Sequence, residues 1–457
     1  MFRKTKHIHF IGIGGIGMSG MAELLLKLGY NISGSDKQAS EITTHLGSIG
    51  IDVSIKHSEE NIKGADVVVF SSAIKSDNIE ILSAKENNIP VIRRAELLGE
   101  LLKVKKTSIA IAGTHGKTTT SSMLGLILLE AKLEPTLVIG GIVNKFNTNA
   151  ISGSGDIILV EADEFDRTFL SLKPTISVIN NLDLEHLDCY KNISDLQTAF
   201  TQFANSVPFY GLISLCTDSK NVCNIIKNIK RPYITFGTNK NAYIRAQKIK
   251  HNGSNSTFEL YRDNIYIDSI SLNMPGKHNI LNALGAISIA LELNVDIKKI
   301  KKALKAYSGV RRRFELKYST SNGLHIIDDY AHHPSEVRAT IEAAKTGWNN
   351  TVLSIFQPHL FTRTRDFYKD FAQSFMNSDI VIITDIYPAR EKPIKGVTSK
   401  LITDELLKLG HKNVHYVPNP LSLPIFIKKM ILKDTTMLIM GAGNIWRICE
   451  NIYKEIK

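Results

Sequence analysis

The sequence predicts an α/β protein of several domains, each built on a mainly parallel sheet, and three observations carry that prediction. Short β-branched runs alternate with longer amphipathic stretches along the whole chain, the pattern of βα units whose helices cover a sheet. Two of the apolar runs deliver glycine-rich loops that open helical patterns, as phosphate-binding loops do at the carboxyl ends of parallel strands. The length of 457 residues exceeds what one hydrophobic core serves, and at roughly 150 residues per domain it suggests about three domains.

Taken in order, the first series has a strand at 7–13, a helix at 18–28 and a strand at 67–70. A second begins with the strand 107–112 and continues at 156–160 and 175–179. A third includes strands at 325–327, 351–356, 379–384 and 437–440. The polar segment 103–106 and the segment 307–313 lie between the series and are the expected linkers. No internal repeat or low-complexity tract stands out.

Composition narrows the function classes. An apolar content of 43% with 22% charged residues is ordinary for a globular protein. No apolar run reaches the roughly 18 residues a membrane span needs. The start, MFRKTKHIHF, enters a strand pattern without a secretory apolar region, so a cytoplasmic location is expected. The four cysteines, Cys189, Cys216, Cys223 and Cys449, show neither zinc spacing nor a disulfide framework. Lys+Arg number 56 against 44 Asp+Glu, a formal charge of +12, which points to nucleic acid or an anionic small substrate. The lysines nevertheless fall in segments such as IKKIKKALKAY, which look like solvated helix faces, and no aromatic residues interleave them.

The first loop, HFIGIGGIGMSG, places Gly12, Gly14 and Gly17 in G-x-G-x-x-G spacing between a strand and a helix, with Asp36 ending the next strand where a ribose-binding acid is expected. An NAD dehydrogenase is one reading of these residues. The physics says only that amides at a helix N-terminus accept a pyrophosphate, and leaves its owner open.

The second loop, GTHGKTTT, follows the strand TSIAIA and precedes the helical SSMLGLILLE. Ile111 stands where the strict P-loop has its first glycine. The working parts of the compact variant remain: backbone donors around phosphates, Lys117 for the β/γ charge and Thr118 as a Mg²⁺ ligand. The next strand ends in Glu161-Ala162-Asp163-Glu164 and the following one in NNLDLEHLD, which sets Glu161, Asn181, Glu185, His186 and Asp188 at the carboxyl edge of the sheet. Glu161 is an easy hard-oxygen ligand, whereas a lone histidine such as His186 is more often structural.

HFIGIGGIGMSG, SSAI from Ser71, RRAE from Arg93, GTHGKTTT, EADEFD, NLDLEHLD, PGKHNILNA, VRRRFE, DDYAHHP and FQPHLFTRT follow one another along the chain. In these segments it resembles the Mur ligase family over essentially its whole length. The resemblance implies a UDP-sugar-binding Rossmann-like domain at 1–102, a central P-loop-type ATP-binding domain at 103–308 and a Rossmann-like ligase domain at 309–457. It implies ATP-dependent ligation of L-alanine to the carboxylate of UDP-N-acetylmuramate through an acyl phosphate, in peptidoglycan precursor synthesis. ATP and two Mg²⁺ ions are the implied cofactors, without NAD, nucleic acid or membrane, in a monomer or weak homodimer.

Residue by residue, the resemblance puts the ATP phosphates on Gly113, Thr114, His115, Gly116, Lys117, Thr118 and Thr119, with Lys117 and His186 as catalytic groups. Thr118 and Glu161 would hold one metal ion and His186 a second. Asn279 and Asn282 would meet adenine, and Arg313, Asp328 and Asp329 would reach the nucleotide. The UDP-sugar falls to Gly12, Gly14, Gly15, Gly17, Ser72 and Arg93, and the amino acid to Tyr330, His332, His359 and Arg363. Glu185 stands where Asp often precedes the metal-site histidine, and Leu360 where Arg is common. The stretch AFTQF from Ala199 lacks the lysine that related ligases carbamylate. Within this frame a dehydrogenase would leave the second loop without a purpose, and a nucleic-acid-binding P-loop protein would leave the acidic strand ends unexplained. A recycling ligase that adds a whole tripeptide to the same sugar is the nearest rival.

Overall fold

The computed structural model describes residues 5–71, 73–184, 189–389, 391–430 and 433–456. By proximity the chain forms two compact units, one of 1–247, 259–268 and 281–307, the other of 248–258, 269–280 and 308–457.

In the first unit, β1 (His7–Ile11), β2 (Asn31–Asp36), β3 (Asp52–Ile55), β4 (Val67–Phe70) and β5 (Val91–Arg93) form a parallel sheet in the order β3-β2-β1-β4-β5. The chain winds outward from β1 to β3 and then crosses to β4, so the carboxyl end of β1 is the switch point where such sheets open a crevice. β1 stops at Ile11, two residues before the expected end, because Gly12 turns at φ +80°. The Gly12 and Ile13 amides then both donate to the Ser35 carbonyl, at 2.8 and 3.0 Å. Gly15 caps the helix Ile16–Lys27, which therefore starts inside the glycine loop, earlier than the apolar periodicity suggests.

The second sheet contains β6 (Thr107–Ala112), β7 (Thr136–Val143), β8 (Thr148–Ile151), β9 (Ile157–Glu161), β10 (Ile176–Ile179), β11 (Leu212–Cys216), β12 (Tyr233–Gly237), β13 (Ile244–Asn252), β14 (Asn255–Arg262) and β15 (Ile265–Leu272), in the order β15-β14-β13-β12-β11-β10-β6-β9-β7-β8. From β12 to β7 every neighbour is parallel. β6 is buried after its first residue, as a central parallel strand covered on both faces must be. Because β6 lies between β10 and β9, the loops leaving these three strands emerge side by side at one edge. One apolar core runs through the unit from Ile8, Phe10 and Leu24 to Phe169, Phe200 and Phe203. The lysine-rich helix Ile297–Lys305 buries Ile300, Ala303 and Leu304, so its lysines do form a solvated face.

The second unit carries β16 (Glu315–Ser319), β17 (His325–Asp329), β18 (Thr351–Phe356), β19 (Ile380–Ile383), β20 (Val414–Tyr416) and β21 (Thr435–Met440), in the order β16-β17-β21-β18-β19-β20. Only β16 runs antiparallel, against β17. The strand expected at 325–327 continues through Asp328 and Asp329. Both pair with β21, with Ile439 and Met440, so sheet pairing overrides the poor β propensity of aspartate. Among the described residues no helix is long and apolar enough to cross a membrane.

Candidate active site

The second glycine loop is built from the backbone outward. Gly113 and Gly116 have φ of +134° and +79°, which side chains resist. A Cβ on Gly116 would lie 2.2 Å from Asn282 Oδ1. Gly116 caps the helix Lys117–Glu130, so the loop runs into the amide-rich, electropositive end of a helix. The end of β10 holds the loop. His115 N–H donates to Asn181 Oδ1 at 2.7 Å, and Asn181 Nδ2 donates back to the His115 carbonyl at 3.1 Å. The Asp183 amide donates to Thr114 Oγ1 at 2.9 Å. Thr119 is buried. Beneath the loop, Thr120 Oγ1 donates to Asn282 Oδ1 at 3.3 Å and accepts from Asn180 Nδ2 at 2.9 Å. Asn279 is also buried, and its amide donates to the Pro275 carbonyl at 2.8 Å.

Lys117 Nζ donates to the carbonyls of Gly113 and Thr114, at 2.7 and 3.1 Å, and to Glu164 Oε2 at 2.7 Å. Burial pushes the Glu164 carboxyl up to about 7 although Lys117 pulls it down. One helical residue on, Thr118 Oγ1 donates to Glu161 Oε2 at 3.1 Å, while Ser121 Oγ and the Gly140 amide donate to Glu161 Oε1 at 3.0 and 2.7 Å. Thr118 and Glu161 thus come together as their positions suggest, and a carboxylate beside a hydroxyl is the hard-oxygen set that fits Mg²⁺. Glu185, His186 and Asp188 lie outside the described residues. Among the described residues no group of three His, Cys, Asp or Glu side chains gathers for a metal.

At the first loop, Gly14 N–H donates to Asp36 Oδ2 at 2.9 Å. The acid that a dinucleotide reading assigns to a ribose is therefore bonded to the loop itself. A Cβ at Gly14 would lie 2.9 Å from that oxygen, and one at Gly17 would lie 2.4 Å from Arg94 Nη1. Close by, Arg93, Arg94 and Arg167 line a cavity of about 520 Å³ with Phe70, Ile74 and Phe165. Arg94 is paired with Asp163 at 3.4 Å and Arg167 with Asp195, so the basic lining is partly balanced by acids, and the remaining positive charge suits an anionic ligand. Ser72 lies outside the described residues.

In the second unit the residues cluster where β17, β18 and β21 end. Asp328 is fully buried, with Arg312 Nε 3.6 Å from its Oδ2. Burial raises its carboxyl to about 7 against the pull of Arg312. Burial also raises Asp329 to about 6, and Asp329 accepts from the amides of Ala331 and Phe314 at 2.7 and 2.9 Å. The Arg313 guanidinium lies over the Tyr330 ring, 5.0 Å from its centroid, with Nη1 3.9 Å from Glu336 Oε1. His359 stacks on Tyr387 at 5.8 Å and stands 6.3 Å from the His332 ring. Arg363 sits in the first turn of the helix Phe361–Phe375, which Leu360 caps at φ +71°. Such a φ strains a non-glycine residue by about 1–3 kcal/mol, and the Leu360 amide is anchored to the Tyr387 carbonyl at 3.0 Å.

Three family descriptions match this chain in succession: "Mur ligase family, catalytic domain" over residues 7–106, "Mur ligase middle domain" over 111–290 and "Mur ligase, glutamate ligase domain" over 312–443. The chain belongs to the Mur ligase family. A Mur ligase from Geotalea uraniireducens (strain Rf4), named UDP-N-acetylmuramate–L-alanine ligase, is 45% identical over 457 residues, spanning 100% of this chain and 99% of its own. A protein of that name from Geobacter sulfurreducens is 44% identical over 100% of this chain and 99% of its own. The crystal structure of UDP-N-acetylmuramate-alanine ligase from Thermotoga maritima superposes with a TM-score of 0.83, at 28% identity over 98% of each chain. A murein peptide ligase of Psychrobacter arcticus shares the fold, with a TM-score of 0.71 at 24% identity over 99% of this chain and 98% of its own.

Several partners within this Mur ligase have no sequence signal of their own. Glu164, which holds Lys117, is one of three acids in EADE. Ser121 and Gly140 reach Glu161 from a helix interior and a neighbouring strand. Arg167 joins the adjacent Arg93 and Arg94 only through folding. Glu336 had a signal: it stands three residues after His333 at the start of the helix Pro334–Gly347, the spacing of a capping box.

Proposed function

We infer that this Mur ligase joins L-alanine to the carboxylate of UDP-N-acetylmuramate, converting ATP to ADP and phosphate. The full-length identity of 45% to a ligase of that name carries the reading, and the geometry around Lys117, Thr118 and Glu161 supports it. A carboxylate is a poor acyl donor, so its oxygen first takes the γ-phosphoryl group of ATP. The resulting acyl phosphate is then attacked by the amine, and phosphate leaves. In the first step the protein positions reactants and offsets charge: loop amides of 113–119 cradle phosphates and Lys117 faces the transferred group. Thr118 and Glu161 would hold Mg²⁺, which supplies further neutralisation of phosphate charge when bound, and His186 is assigned a second ion. Gly12, Gly14, Gly15, Gly17, Ser72 and Arg93 are assigned to the UDP-sugar, with Arg94 and Arg167 added by the cavity they line. Tyr330, His332, His359 and Arg363 are assigned to the amino acid, and Asn279, Asn282, Arg313, Asp328 and Asp329 to the nucleotide. The reading keeps domains at 1–102, 103–308 and 309–457, a cytoplasmic monomer or weak homodimer, and no role for NAD, nucleic acid or membrane.

Phosphate release with ATP, Mg²⁺ and UDP-N-acetylmuramate over a panel of amino acids tests it. L-alanine is expected to support the highest kcat/KM. Preference for a tripeptide would make the enzyme a recycling ligase, and no ADP release with any acceptor would reject ligation.

A further inference from the structure

His332 is held in one protonation pattern by its surroundings. Its Nδ1 lies 3.0 Å from the Tyr330 carbonyl and 3.2 Å from Glu336 Oε2. A carbonyl can only accept. Glu336 Oε2 is likewise an acceptor here, because the backbone amides of His332 and His333 already donate to it, at 2.9 and 3.3 Å. Nδ1 must therefore carry the ring proton. The lone pair is left on Nε2, which makes no hydrogen bond among the described residues. The His332 side chain is 19% exposed, so the ring is partly open to solvent. Tyr330, His359, Arg313 and Arg363 face the same ring.

We propose that His332 Nε2 takes the proton of the amino-acid nitrogen as the amide bond forms, with Glu336 and the Tyr330 carbonyl holding the other ring proton on Nδ1. The proposal rests on the ligase reading and supplies the base it lacks. The uncharged amine attacks the acyl carbon. The N–C bond forms, the N–H proton passes to Nε2, and the C–O bond to phosphate breaks with its electron pair going to the phosphate oxygen. The imidazolium then gives its proton to that phosphate, so amine plus acyl phosphate become amide plus hydrogen phosphate and the imidazole is restored. Burial holds the ring pKa well below the ordinary histidine value, which keeps Nε2 unprotonated between turnovers. Glu336 stabilises the transient imidazolium, while Arg313 and Arg363 oppose it and favour rapid return of the proton. Glu336 acts through His332 and is a positioning residue.

Three measurements on the full-length enzyme test this. ¹⁵N NMR of the imidazoles, with His332 assigned by loss of its signal in His332→Gln, should show Nδ1–H and bare Nε2; an Nε2–H tautomer would overturn the proposal. In His332→Gln, L-alanine ligation should fall about 10²- to 10⁴-fold, whereas capture of the acyl phosphate by hydroxylamine, which needs no base, should proceed at the wild-type rate. Wild-type ligation, or equal loss of both reactions, would overturn it. Glu336→Gln keeps a cap oxygen but loosens the hold on the Nδ1 proton, so Nε2–H should gain population and kcat fall at constant KM for L-alanine; an unchanged tautomer with unchanged kcat would remove Glu336 from the role. If the wild type forms no hydroxamate from UDP-N-acetylmuramate and ATP, the ligase reading fails and takes the proposal with it, an outcome distinct from failure of His332 alone.

Discussion

A buried lysine–glutamate contact at a phosphate loop raises the question of what happens when the lysine is removed. Lys117 Nζ is 2.7 Å from Glu164 Oε2, and the Glu164 side chain is 1% exposed. Stranding a buried charge ordinarily costs about 3–5 kcal/mol. Glu164 escapes most of that cost, because burial already sets its carboxyl near 7 and it can take a proton once Lys117 is gone. Lys117→Ala should therefore keep a native circular dichroism spectrum at neutral pH while losing at least about 10²-fold in ligation, the scale on which one preorganised charge acts in a transition state. Wild-type turnover by the folded variant would remove Lys117 from the mechanism. Lys117 and Thr118 were legible from the sequence because strand, loop and helix signals coincide there. Glu164 was not, since nothing in EADE says which acid turns inward.

At the scale of elements, the strands that sequence patterns locate best are β4, β6 and β18, where apolar runs end at polar residues. Boundaries moved where a special backbone or long-range pairing decides them, at Gly12 and at Asp328 and Asp329. A network beneath the first sheet was invisible because its members lie far apart in the chain. Glu80, 0% exposed, accepts from Ser35 Oγ at 2.6 Å, the Ser58 amide at 3.2 Å and Asn61 Nδ2 at 2.5 Å, with His57 Nδ1 at 3.4 Å and His9 Nε2 at 3.7 Å. Burial alone would raise its carboxyl, but His9, Ser35 and Asn61 outweigh it and hold it at about 2. The folded pKa lies below the ordinary 4.5, so the stabilisation is present above that pH and is lost as pH falls toward 2, a difference of about 3 kcal/mol at 1.36 kcal/mol per pH unit. Chemical denaturation across this window should show the wild type losing more stability on acidification than Glu80→Gln. Parallel curves would show that Glu80 titrates alike in the folded and unfolded chains.

Across the whole molecule, the two glycine loops lie on two different sheets, and the proposed function assigns a different phosphate ligand to each. The fingerprint at Gly12, Gly14 and Gly17 is shared with dinucleotide-binding folds, so sequence spacing alone leaves its ligand open. Asp36 is bonded to the Gly14 amide, and the proposed function assigns the loop to a UDP-sugar. A valine at Gly14 would press on Asp36 Oδ2 and on Thr43 Cγ2, which lie 2.9 and 3.1 Å from the first added carbon, and would block close approach of a pyrophosphate to the loop. The loop at Gly113 and Gly116 belongs to another sheet, and its Asn180, Asn181 and Asn282 supports do not involve Gly14. Gly14→Val should consequently raise KM for UDP-N-acetylmuramate at least about tenfold, the effect of losing roughly 1.4 kcal/mol of binding, while KM for ATP stays near wild type. Calorimetry with NAD should detect no binding to either protein. Equal rises in both KM values would mean that the two loops do not act separately, and micromolar NAD binding that the valine abolishes would return the first loop to a dinucleotide.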